Sequence, residues 1–134
     1  MMADDPLTLL RETRTIAMVG ASPNPERESH GVMRYLLRHG YRVIPVRPDA
    51  DEVLVVPCVR TLHEISEPID MVDVFRRPEF CAAHAREAVE AGAKSLWLQL
   101  GIVSREARAI AEAGGLAYVE DACTAVVHAQ SLRT

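Results

Sequence analysis

Along the chain, short continuous apolar runs alternate with longer segments in which apolar residues recur at helical spacing. Ile16-Ala17-Met18-Val19, Val43-Ile44-Pro45-Val46, Met71-Val72-Asp73-Val74-Phe75, Ser95 to Leu100 and Leu116 to Val119 are the apolar runs. Runs with no polar alternation suit strands buried on both faces, as in parallel sheets. Pro45 weakens the second run as a strand, because proline cannot donate to a ladder. Between the runs the spacing predicts helices. One starts at Asp5-Pro6 with Asp as cap and ends near Thr13. Others cover Ser29 to His39 with Ser29 as cap and Gly40 as stop, Pro78 to Ala91 closed by Gly92, Ser104 through Ala113, and Ala122 to Leu132. A short helix is expected at Leu62 to Ile65, and Val53 to Val56 reads as a strand extension or a hairpin.

Strands separated by helical segments of roughly 10–15 residues imply right-handed βαβ units. The expected fold is α/β: a three-layer Rossmann-like arrangement, with a mostly parallel five- or six-stranded sheet and helices on both faces. No repeat, linker or low-complexity tract interrupts it, so residues 1–134 are read as a single domain. In such folds ligands lie beyond the carboxyl ends of the strands, where the strand order reverses. The residues that follow each apolar run therefore carry the functional reading.

After the first run stand Gly20, Ala21, Ser22 and Pro23, followed at the next helix start by Ser29, His30 and Gly31. Gly20 can adopt positive φ and admit a ligand close to the backbone. Ser22 offers a hydroxyl, and amides at a helix start favour a phosphate; an ordinary glycine turn is the alternative. The second run ends in Arg47-Pro48. Dinucleotide folds that take NAD place an acid there, roughly 20 residues past the glycines. Arginine instead suits a ribose phosphate, 2′ in NADP or 3′ in coenzyme A, or simply a solvated surface. Phe75, Arg76 and Arg77 follow the third run, either as an aromatic face for a base or pantetheine arm with two cations, or as a core phenylalanine followed by solvated arginines. Gln99, Leu100 and Gly101 end the fourth.

The 134 residues are 49% apolar and 25% charged, the balance of an ordinary globular protein, and the formal net charge is −4. That charge argues against nucleic acid as a partner. No apolar run approaches the ~20 residues of a membrane span, and acids stand where a signal peptide would be basic, so a cytoplasmic location is expected. Three scattered cysteines and five scattered histidines give neither a disulfide framework nor metal-ligand spacing. The motif G-x-G-x-x-G and the lysine-bearing P-loop are both missing, and no nucleophile stands beside an evident base. No catalytic residue and no metal ligand is assigned.

The strings Gly20-Ala21-Ser22-Pro23, Ser29-His30-Gly31, Gly40 to Val46, Val72-Asp73-Val74-Phe75-Arg76-Arg77-Pro78, Gly92-Ala93-Lys94 and Leu96-Trp97-Leu98-Gln99-Leu100-Gly101 resemble the stand-alone CoA-binding domain family. That family is similar to the CoA-binding domain of the succinyl-CoA synthetase α subunit. The resemblance covers about Thr15 to Cys123. It implies coenzyme A lying across the strand ends, phosphates on the Gly20–Pro23 loop and helix start, Arg47 and Pro48 near the adenosine, and Phe75, Arg76 and Gln99-Leu100-Gly101 lining the rest. Two positions depart from the family pattern. Arg47-Pro48-Asp49 replaces Asn-Pro-Lys, and Asp121-Ala122-Cys123 replaces Asp-Arg-Cys.

The expected function is binding of CoA or an acyl-CoA by a non-catalytic carrier, sensor or regulatory module. Its partner is a small molecule, with a protein partner left open. The synthetase needs a further domain bearing a phosphorylated histidine, and the chain ends before one, so acyl-CoA ligation by this chain alone is not expected. The alternatives are an NADP-binding oxidoreductase-like domain, or a subunit that completes an acyl-CoA synthetase with a partner chain.

Overall fold

The computed structural model describes residues 5–133; the domain expected over 1–134 and the terminal acid Asp4 extend outside them. Five parallel strands form one sheet in the order β2-β1-β5-β6-β7. They are β1 (Thr15–Val19), β2 (Arg42–Val46), β5 (Met71–Val74), β6 (Ser95–Leu98) and β7 (Ala117–Val119). The helices are α1 (Pro6–Glu12), α2 (Glu28–Arg38), α3 (Pro78–Glu90), α4 (Arg105–Ala113) and α5 (Thr124–Ser131). This is the Rossmann-like α/β class read from the sequence. Val53 to Val56 does not extend the sheet. It supplies a separate antiparallel hairpin of β3 (Glu52–Val53) and β4 (Val56–Pro57), in which Leu54 and Val55 turn with φ of 51° and 60°.

Strand periodicity divides the core in two. Ala17, Val19, Val72, Val74, Leu96 and Leu98 face one layer, where they meet Cys81, Ala85 and Ala88 of α3 and Ala107 and Ala111 of α4. Ile16, Met18, Met71, Trp97 and Val119 face the other, against Leu9 and Leu10 of α1 and Met33 and Leu36 of α2. Small residues on α3 and α4 let both helices sit close to the branched side chains of the sheet. Removing these apolar groups from water is the main favourable contribution to folding. Trp97 is fully buried, and its Nε1 donates to the Ala122 carbonyl at 2.7 Å, so its polar handle is matched.

Local chemistry fixes most helix ends as expected. Asp5 Oδ2 accepts from Thr8 N at 3.0 Å with Pro6 at the first helical position, and Ser104 Oγ accepts from Ala107 N at 3.1 Å. The cap of α2 is a correction. Arg27 occupies that position and provides no side-chain cap bond, while Ser29 lies inside the helix. Its hydroxyl is drawn away by the preceding loop, accepting from Ser22 N at 3.0 Å. A second correction is the end of the fourth strand, which stops at Leu98 rather than Leu100.

Pro45 sits in β2, at the margin of the sheet, where a missing ladder donor is tolerated. The carbonyl of Pro45 accepts from Val59 N at 3.0 Å, and Arg47 N donates to the Val59 carbonyl at 2.8 Å. The segment after β4 thus lies along the end of β2 and closes part of that margin.

Candidate functional site

The strand order reverses between β1 and β5. The crossover from β1 to β2 runs on one side and the chain from β5 to β7 on the other. Loops leaving β1, β2 and β5 must diverge there, and they open a crevice of about 760 Å³. Its size is that of a small-molecule site.

Gly20 forms the floor. Its φ is +84°, and a Cβ at this position would stand 2.5 Å from the carbonyl oxygen of Phe75. Glycine is therefore required twice, by backbone conformation and by the neighbouring strand end. The following loop is fastened by its own polar groups. Asn24 N donates to Ser22 Oγ at 3.1 Å, Glu26 N donates to Asn24 Oδ1 at 3.0 Å, and His30 Nδ1 donates to the Ser22 carbonyl at 3.0 Å. The loop delivers the start of α2 to the crevice with no side-chain cap. Leading amides without caps are the orphan donors that give a helix start its affinity for anions.

Arg47 stretches across from β2. Its Nη1 donates to the Ala21 carbonyl at 3.1 Å and its Nε to Asp49 Oδ1 at 2.6 Å. The bond from Arg47 holds the Asp49 carboxyl below the usual range. Arg76, from the end of β5, stacks its guanidinium on the Phe80 ring with 4.4 Å to the centroid. That contact fixes a cation at the rim without neutralising it.

Seven of the residues singled out by sequence line the crevice together: Gly20, Ser22, Ser29, Arg47, Pro48, Phe75 and Arg76. Ala21 is buried beneath it, and its carbonyl anchors Arg47. His30 is buried and fastens the loop from behind. Pro23, Gly31 and Arg77 are exposed and do not line it; nor do Gln99, Leu100 and Gly101. Gln99 turns inward, where its Nε2 donates to Asp73 Oδ1 at 2.6 Å and to Thr124 Oγ1 at 3.0 Å. Leu100 is exposed, and Gly101 N donates to Asp121 Oδ1 at 2.7 Å.

Glu26, Arg27, Glu28, Val46 and Asp49, none of them assigned to the site from the sequence, also line the crevice. All five stand in or beside the strand-end loops already singled out, and that position was the available signal. They make the lining a balance of three acids, Glu26, Glu28 and Asp49, against three arginines, Arg27, Arg47 and Arg76. Among the described residues no three His, Cys, Asp or Glu side chains come together to hold a metal ion, and no helix is long and apolar enough to cross a membrane.

A parallel sheet with its order reversed at β1, a glycine turn running into an uncapped helix, and a mixed-charge crevice at that reversal define a Rossmann-like α/β protein with a strand-end crevice. The family model "CoA binding domain" matches residues 14–129, and the chain belongs to that family. It is 41% identical over 121 residues to the uncharacterised protein YneT of Bacillus subtilis (strain 168), covering 90% of each chain. A hypothetical protein of Pyrococcus horikoshii OT3 has a similar structure, with a TM-score of 0.92 and 38% identity over 97% of this chain and 92% of that one. The fold also matches part of a dinucleotide-forming acetyl-coenzyme A synthetase of Ca. Korarchaeum cryptofilum, with a TM-score of 0.71 and 23% identity over 82% of this chain and 27% of that one.

Proposed function

We propose that this protein binds coenzyme A or an acyl-CoA in the crevice at the ends of β1, β2 and β5, as a carrier, sensor or regulatory module. The observation that carries this reading is the close approach at Gly20, where the absent side chain leaves backbone beside an uncapped helix start. A pyrophosphate fits such a cradle because backbone donors and the helix dipole both favour negative charge there. Ser22 and Ser29 each retain a hydroxyl proton to donate into it. Arg47 would meet the ribose phosphate, Pro48 the adenosine, and Phe75 and Arg76 the remainder of the ligand.

Calorimetric titration with CoA, dephospho-CoA and NADP tests the reading. CoA is expected to bind more tightly than NADP, and Arg47→Ala to weaken CoA about tenfold, the usual size of one charge-assisted contact. Binding of NADP without CoA would transfer the site to an oxidoreductase-like domain. A second reading, a subunit completing an acyl-CoA synthetase with another chain, draws on the fold shared with the acetyl-coenzyme A synthetase, of which this chain spans 27%. It calls for a partner that co-elutes with this protein and restores ligation.

A further inference from the structure

We infer that Asp49 is a specificity-determining residue, an internal counter-ion on Arg47 that lowers the selectivity of the crevice for a phosphate on the ligand's ribose. The inference rests on the CoA reading and adds a prediction about which CoA-like ligand the site prefers. A guanidinium offers five N–H donors in a planar fork. In Arg47 the Nε donor is held by Asp49 Oδ1 at 2.6 Å, and one Nη1 donor by the Ala21 carbonyl at 3.1 Å. The side-on edge, where a phosphate would bind through Nε and a terminal nitrogen together, is therefore taken by a carboxylate. An incoming ribose phosphate must either displace Asp49 or share the remaining donors with it at close range. Two anions on one guanidinium repel each other, whereas a ribose with free hydroxyls meets no such conflict and can donate to Asp49.

Exposure decides how strong the effect is. The Asp49 side chain is 68% exposed and that of Arg47 only 29%. The carboxylate can move aside into water, but the guanidinium stays at the crevice. Asp49 thus acts as a displaceable competitor whose loss shows up as selectivity. The balance of acids and arginines in the lining makes one carboxylate count, because no surplus of cations masks its removal.

The test compares CoA with dephospho-CoA, which differ only in the 3′-phosphate, on wild type, Asp49→Asn and Glu26→Gln. Asp49→Asn is expected to tighten CoA about three- to tenfold while changing dephospho-CoA by less than about twofold, in keeping with the modest strength of exposed ion pairs. Asp49→Ala, with no side chain to re-pair, should shift the ratio the same way. An unchanged ratio in a wild type and variants that all bind CoA overturns the inference alone, as does weaker CoA binding in Asp49→Asn. So does an equal gain in ratio from Glu26→Gln, which would reduce the effect to overall charge. If neither wild type nor Asp49→Asn binds either coenzyme, the CoA reading fails and the inference with it.

Discussion

The side-chain amide of Gln99 donates to Oδ1 of Asp73 at 2.6 Å, inside the protein and away from the crevice. Thr124 closes the triangle: its hydroxyl donates to Asp73 Oδ2 at 3.2 Å and accepts from Gln99 at 3.0 Å. Three elements, β5, the turn after β6 and the start of α5, are held by one fully buried carboxyl that forms no ion pair among the described residues.

That burial pushes the Asp73 carboxyl up from 3.8 to about 7, against the hydrogen bonds from Gln99 and Thr124 that pull it down. Between those two values the folded protein keeps a proton that the unfolded chain has released. Stability from this group is therefore full below the unfolded pKa and declines as pH rises toward 7. Asp73→Asn should flatten this part of the profile, and urea unfolding at several pH values reads the difference, expected to reach a few kcal/mol. A variant whose profile parallels that of wild type would show that Asp73 does not titrate there.

Gly20→Ala should destabilise the fold by about 2–4 kcal/mol, combining positive-φ strain with the clash against the Phe75 carbonyl. Thermal unfolding measures the loss. A variant as stable as wild type would mean that the loop after β1 can retreat without penalty.

Gly31 makes the opposite case. It lies within α2, is exposed, and a Cβ there would meet nothing within 4 Å. Gly31→Ala is expected to stabilise the protein by roughly 0.5–1 kcal/mol through helix propensity, with CoA affinity unchanged. A several-fold loss of CoA affinity would return Gly31 to the binding surface.

Cys81 is fully buried, and burial raises its thiol to about 11, with Arg76 opposing. Its Sγ–H is directed at the Arg76 and Arg77 carbonyls, at 3.7 and 3.6 Å. Iodoacetamide at about pH 8 should leave Cys81 unmodified in the native protein and label it in denaturant, as peptide mass analysis would show. Rapid native labelling would reveal that α3 opens readily.

The five strands were legible because buried parallel strands leave an uninterrupted apolar mark, and the crevice because strand ends are where turn-formers and charges must stand. Gln99 stands apart from the crevice for a reason the sequence itself contains. It lies two residues beyond Trp97, so strand parity points it to the same face, toward α5 and Asp73 rather than into the crevice. The start of α2 was less legible: Ser29 is a good cap in isolation, and only the loop's folded path shows its hydroxyl already engaged by Ser22. The Arg47–Asp49 pair was also out of reach, since its contact depends on how the chain bends around Pro48.

Pro45 bears on crowded solutions as well as on the sheet. A strand at a sheet margin is the natural landing place for an extended segment of another molecule, and extended segments abound where proteins are being made or damaged. The missing donor at Pro45 and the Val59 segment laid beside it leave the carboxyl half of β2 with few free groups to offer such a visitor. The crevice opens at that same end, so small molecules can enter beside a margin that resists strand-by-strand growth into fibrils.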